Sequence, residues 1–211
     1  DAPADLDGFV SRVSAAQGNA CFAEVTGLFD SGQFDAAFVK AMGLVWIAPQ
    51  SIAVWIQLSE ISRALGRGEY AEICIRRALA IAPGNVSAWT LLARLVGAAE
   101  GRLQEAARIW AEVLLRDPLN PELIVEAAAF HDRLLDPAPL IALLEKARGD
   151  GVDFNRADLL DVEARALLRV GRLDEAQASI ERALMIPGER EQQRSRQFTR
   201  GAIEDKRGRY R

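Results

Sequence analysis

A single histidine, His131, is the one imidazole this chain could use. It does acid–base work only where a carboxylate or nucleophile is brought to it, and Asp132 and Asp161 are the acids a fold could bring. No cysteine or second histidine lies near it in sequence, so the spacing of a metal site is missing. The two cysteines, Cys21 and Cys74, are too few for a disulfide framework. Each falls inside a helical pattern and reads as a small buried hydrophobe. The run "GRGEY" at 66–70 lacks the preceding strand and the following lysine–serine that a phosphate loop requires. Glu72 and Arg76, four apart, read as an ordinary helix-surface pair. These residues imply no catalytic group, no cofactor and no metal.

Four tryptophans, Trp46, Trp55, Trp89 and Trp110, could in principle line a ligand box. Their spacings instead read as core, where losing a buried tryptophan costs about 3–5 kcal/mol. Half of the residues are apolar and 27% are charged, which fits a folded chain. A net charge of −4 argues against a dedicated nucleic-acid binder. The stretch 190–211 is locally basic, with eight basic residues against three acidic. It reads as a solvated arginine face, or else as a docking surface for an acidic partner; it has few aromatics on which bases could stack. Basic charge is almost all arginine, with lysine only at 40, 146 and 206. Together with abundant alanine, that bias suggests a GC-rich bacterial genome. No apolar run reaches the roughly 18–20 residues that span a bilayer, and "DAPADLDGFV" is not a signal peptide. Either a leader has been removed or this is a segment of something longer, and the expectation is a cytoplasmic protein.

The elements that must position these residues are set by prolines. Pro49, Pro83 and Pro118 follow "LVWIAP", "ALAIAP" and "VLLRDP" at intervals of 34 and 35, and Pro187 follows 69 later. The missing stop falls near "GDGVDF", where Gly149 and Gly151 can break a helix. An interval of this length is the signature of stacked repeats. About seventeen residues before each stop lies a small turn: "SGQF" at 31–34, "GRGEY", "EGRL" at 100–103 and "VGRL" at 170–173. Glycine there supplies the left-handed backbone that ends one helix before the next begins. Small residues recur after the turns at Ala37, Ala71, Ala106 and Ala176, where two helices can approach closely.

Apolar stripes at helical spacing precede the turns. They comprise Trp55 and Leu58; Trp89, Leu92, Ala93 and Val96; Leu123, Ala127, Phe130 and Leu134; and Leu160, Ala164 and Leu167. Alternating strand patterns are absent, so the fold class is all-α. In "DPLNP", Pro118 stops one helix, Asn120 caps the next and Pro121 opens it.

These residues resemble the tetratricopeptide repeat. Residues 52–85 carry Trp55, Leu58, Gly66, Ala71, Ala78 and Pro83; 86–119 carry Trp89, Leu92, Gly101, Leu103, Ala106, Trp110 and Pro118. Residues 157–190 carry Leu160, Ala164, Gly171, Leu173, Ala176, Ala183 and Pro187, and 18–51 carry Gly32, Phe34, Ala37 and Pro49. Residues 120–156 form a degenerate copy in which "DPAP" at 136–139 replaces the glycine turn. The resemblance implies an α-α superhelix, a solenoid of antiparallel helix pairs with about five repeats. Residues 1–17 would form an amino-terminal capping helix through Leu6, Phe9, Val10 and Val13. Residues 191–211 would form the first helix of a further, truncated repeat, with Gly201, Gly208 and Tyr210 in register.

In that family the first helices line a concave face that holds a partner peptide or helix. Carried over, the contact positions are Phe22, Thr26, Ile56, Glu60, Arg63, Thr90, Arg94, Ile124, His131, Asp161, Arg165 and Arg169. The lysine- and asparagine-based carboxylate clamp of chaperone-binding members has no equivalent among them. Arg94, Arg165 and Arg169 could still pair with a partner's carboxylates. The resemblance therefore implies a non-catalytic scaffold whose partner is a protein or peptide, with no membrane span and no nucleic acid. Exposed apolar terminal repeats would also favour a dimer. A second implication comes from "RSRQFTRGAIEDKRGRYR", which is similar to the last repeat ahead of the catalytic domain in repeat-containing bacterial sulfotransferases. On that reading these residues would recruit substrate for a domain beyond residue 211. A third is an adaptor in secretion or envelope assembly.

Overall fold

The computed structural model describes residues 6–134 and 136–209, with side chains at 18–134 and 136–208. Its helices divide between two compact units, Asp1–Glu100 and Gly101–Arg211. The first unit holds α1 (Leu6–Asp30), α2 (Phe34–Ile47), α3 (Ile52–Ala64), α4 (Gly68–Ile81) and α5 (Val86–Ala98). The second holds α6 (Leu103–Arg116), α7 (Pro121–His131), α8 (Ala138–Gly149), α9 (Ala157–Val170), α10 (Leu173–Met185) and α11 (Arg190–Arg209). No strand occurs among the described residues. The division falls at the turn between α5 and α6, inside the repeat read at 86–119.

Within the first unit each helix packs on its neighbours in the chain, and α1 also touches α3. In the second, successive helices pack likewise, with further contacts of α7 on α9 and α9 on α11. Helices that meet only near neighbours in the chain are stacked hairpins, the α-α superhelix class that the sequence implies.

The turns that close the hairpins follow one design. At the end of α3, Gly66 has φ +73°, and the N–H of Arg67 donates to the Ser62 carbonyl at 2.8 Å. At the end of α9, Gly171 has φ +82°, and Arg172 donates to Leu167 at 3.0 Å. This six-to-one bond satisfies a carbonyl that the helix leaves open, and it needs a left-handed residue that glycine adopts without a Cβ clash. Gln33 to Leu28 and Val152 to Ala147 repeat the bond. The second pair shows that Gly151 fills the place where a proline stop is missing.

The small residues after the turns, Ala37, Ala71, Ala106 and Ala176, are all fully buried. Larger residues surround them. Val25, Leu44, Leu58 and Ile61 lie in one cluster of the first unit. In the second unit, Leu140, Leu144, Phe154 and Leu159 lie in one cluster, and Leu160, Leu167, Ile180 and Ile203 in another. The cores are thus distributed along the hairpins. Cys74 is buried among them, and burial pushes its thiol up to about 11.

Start signals also act as read. The Asn120 side chain accepts from the N–H groups of Glu122 and Leu123 at 3.2 and 3.4 Å, with Pro121 in the first turn. Asn85 caps α5 through the Ala88 N–H at 2.8 Å. In the "DPAP" segment, the Asp136 carboxylate accepts from Ala138 N–H at 2.9 Å and opens α8.

Three features differ from the sequence reading. First, α1 runs from Leu6 to Asp30 without interruption, across the boundary drawn at 17/18; the side chains of Leu6, Phe9, Val10 and Val13 lie outside the described residues. Second, the four tryptophans are not all core. Trp110 is buried, but Trp46 is 87% exposed, because it falls off the α2 stripe of Ala37, Ala41 and Leu44. Third, Trp55 and Trp89 are only half-buried. Their indole N–H groups donate to the carbonyls of Pro49 and Pro83 at 2.9 and 2.7 Å, six residues back in each case. The tryptophan therefore ties the helix start to the proline stop before it. Tyr210 and Arg211, the end of the segment similar to the sulfotransferase repeats, lie outside the described residues.

Trp55→Phe and Trp89→Phe should each cost about 1 kcal/mol in urea unfolding, the worth of one hydrogen bond, while Trp46→Phe should leave the midpoint unchanged.

Candidate functional site: the first-helix faces

In the first unit the candidate positions lie on α1, α3 and α5. Phe22, Thr26, Ile56 and Glu60 are half-buried and Arg63 is exposed. The Thr26 hydroxyl donates back to the Phe22 carbonyl at 3.1 Å, so its polar atom is engaged within α1. Arg94, on α5, is exposed. Thr90 is 6% exposed, and its hydroxyl donates to the Val86 carbonyl at 2.9 Å. A buried side chain whose polar atom is spent within its own helix cannot meet a partner, so Thr90 leaves the set.

In the second unit, Ile124 is 1% exposed and sits in the core cluster with Leu140 and Leu159. The reason is register. Ile124 follows Pro118 by six residues, the place that Trp55 and Trp89 hold after Pro49 and Pro83. The 35-residue interval between Pro83 and Pro118 carries one extra residue, and the carried-over positions on α7 slip by one. Corrected by one, Asp132 rather than His131 takes the place of Arg63.

Asp132 is where α7 and α9 meet. Arg169 Nη1 donates to the Asp132 carbonyl at 2.7 Å and to its Oδ1 at 3.1 Å. Arg165 Nη1 stands 3.7 Å from Asp132 Oδ2, and its Nη2 stands 4.0 Å from Asp161 Oδ2. The Thr199 hydroxyl of α11 donates to Asp161 Oδ1 at 3.3 Å. Three of the candidate positions, Asp161, Arg165 and Arg169, thus converge, and Asp132 and Thr199 join them. Arg165 and Arg169, read as able to pair with a partner's carboxylates, already face this chain's own.

His131 makes no acid–base pair. Its ring stands edge-on to Phe130, with centroids 5.8 Å apart. Its Nδ1 is buried without a hydrogen-bond partner, as is Nε of Arg165. Burial holds the imidazole below its usual range. Among the described residues no cluster of three histidine, cysteine or acidic groups could hold a metal, and no helix is long and apolar enough to cross a membrane.

Further contacts between neighbouring hairpins repeat the sequence interval. Arg156 Nη1 donates to Glu122 at 2.8 Å across 34 residues, and Arg156 Nη2 donates to Asp158 at 2.9 Å. The hydrogen bond from Arg156 holds the Glu122 carboxyl below its usual range. Burial pushes Asp158 up, but hydrogen bonds from Arg156 and the Leu159 N–H outweigh it and hold that carboxyl low. Lys206 Nζ donates to the Leu168 carbonyl at 2.8 Å across 38 residues, and Arg207 pairs with Asp174 at 2.5 Å across 33. Opposite charges about one repeat apart are a signal present in the sequence, and Asp132 is legible by it through Arg169; the uncharged Thr199 is not.

With this geometry in view, the chain is similar to several solved structures. MamA superimposes with a TM-score of 0.67 at 14% identity, over 80% of this chain and 90% of that one. PilF of Pseudomonas aeruginosa gives 0.65 at 17% identity, over 93% of both chains. A thermophilic TPR protein of Thermus thermophilus gives 0.57 at 20% identity, over 88% of this chain and 98% of that one. No family model and no curated protein matches the sequence. The likeness shows a shared tetratricopeptide-type fold.

Two outcomes follow. Asp132→Asn should lower stability by about 1 kcal/mol, because two half-exposed arginines lose their shared partner; chemical denaturation measures it. The stability tied to His131 is intact above the unfolded value of about 6.5 and is lost as pH falls through the lower folded value. His131→Leu should therefore flatten the stability curve from about pH 7 to 5, and the acid slope from Glu122 and Asp158 should remain at lower pH.

Proposed function

We propose that this chain is a non-catalytic interaction scaffold that binds a partner peptide or helix on its first-helix faces. The observation that carries the reading is the lateral contact of first helices within each unit, α1 on α3 and α7 on α9 on α11. Such contact makes separate helices into one surface wide enough for a segment of chain. In the first unit that surface mixes the apolar side chains Phe22 and Ile56 with Glu60 and Arg63. Part-exposed apolar groups give a partner area to bury, and the flanking charges fix its direction. In the second unit the surface is the Asp132–Arg165–Asp161 lattice, where a partner's carboxylate would compete with Asp132 for Arg169.

Site-specific photocrosslinking tests this. A benzophenone side chain at position 22 or 56 should trap one reproducible protein species in cells. The same group at the exposed Val39 of α2 or Ile73 of α4 should not. Trapping from 39 and 73 alone would overturn the assignment. Glu60→Arg with Arg63→Glu should reduce the yield from position 56 about tenfold, the loss expected when rim charges oppose those of a partner.

A further inference from the structure

The second unit contains a cleft of about 480 Å³ that the first-helix reading does not use. It opens between the first residues of α9, the α10–α11 turn at Ile186–Pro187, and the start of α11. Arg196 of α11 lines it and is 5% exposed. Its Nη1 makes two long contacts, 3.4 Å each, to the carbonyls of Ala183 and Ile186. Among the described residues, Nε and Nη2 make no hydrogen bond, and no carboxylate lies within 4.0 Å of the guanidinium.

A buried guanidinium without a counter-charge is costly, and the cost is relieved by a carboxylate that can take two of its donors. The acids of the cleft are already engaged. Asp158 lies in the fork of Arg156. Asp161 accepts from Thr199 and faces Arg165. Among the described residues, Arg196 is therefore a cation of the cleft with no carboxylate at ion-pair distance. The start of α9 faces the same space. Its N-cap residue, Arg156, supplies no side-chain cap; the N–H groups of Asp158 and Leu159 go to the Asp158 carboxylate, and among the described residues the Ala157 N–H is the one that this helix end leaves open. Around the mouth, Asn155, Gln192 and Ser195 are exposed amide and hydroxyl groups suited to a peptide backbone.

We propose that this cleft binds a carboxylate presented by a peptide, with Arg196 as its counter-ion and the Ala157 N–H at the start of α9 as a further donor. It rests on the reading of the chain as a peptide-binding scaffold, but it places a separate anchor on that scaffold.

NMR of the full chain tests it, following the Arg196 Nε–H and the amide of Ala157. The probes are acetyl-Gly-Gly-Leu as the free acid, the same peptide as its C-terminal amide, and acetyl-Gly-Glu-Gly amide. Saturable shifts with one or both carboxylate probes, at a Kd on the order of 1 mM, and none with the first amide, are the expected result. Which acid binds more tightly identifies a chain terminus or a glutamate side chain as the source. Arg196→Gln should weaken binding roughly tenfold or more, as expected for a charged hydrogen bond. Because Arg196 also touches two carbonyls, Gln192→Glu serves as a second variant. It lines the cleft one helical turn before Arg196, where a carboxylate can pair with the guanidinium from within, so it should abolish probe binding while raising the melting temperature. Equal shifts with the amide, no saturation with either acid, or undiminished binding by folded Gln192→Glu would overturn the proposal. Loss of crosslinks at positions 22 and 56 with probe binding intact would instead count against the first-helix faces alone.

Discussion

Everything in this structure depends on one constraint: a helical hairpin cannot bury its own flanks, so each must bury them against the next. Ala37, Ala71, Ala106 and Ala176 are fully buried because they lie where two backbones approach most closely. A larger residue there would hold the helices apart and strand the leucines and isoleucines around it. The constraint also explains why the cores are strung along each unit, with Ile124 and Leu159 in one cluster and Leu160 and Ile180 in the next. Consecutive residues on α9, Leu159 and Leu160, serve different neighbours.

Polar side chains obey the same nearest-neighbour rule. Contacts such as Arg156 to Glu122 and Lys206 to Leu168 join groups about one repeat apart in sequence. Individually, half-exposed pairs of this kind stabilise by tenths to about 1 kcal/mol. Their greater effect is on orientation, since each links one hairpin to the next at a defined height. The face offered for recognition is thereby restricted. Arg165 and Arg169 are held by Asp132 and Asp161, whereas Arg196 is buried with no acidic partner among the described residues.

The fold was legible to the extent that it is written as periodic pattern. Proline stops, glycine turns and the alanines between them gave the helices and their pairing, and Gly151 showed the same turn where a proline is missing. Legibility failed where one extra residue entered. The interval from Pro83 to Pro118 shifts α7, so Ile124 enters the core and Asp132 replaces His131 on the face. Trp46 failed for a related reason: residue type suggested burial, but its angle around α2 points it to solvent.

By itself the sequence determined the helical class, the positions of the turns and the small residues that let hairpins close, because these follow from local backbone preference and apolar spacing. Tertiary structure decided which charges are already spent. Thr199 reaches Asp161, Arg169 reaches Asp132, and Arg196 meets no carboxylate among the described residues, since such pairings depend on distances across neighbouring helices and not on spacing along one.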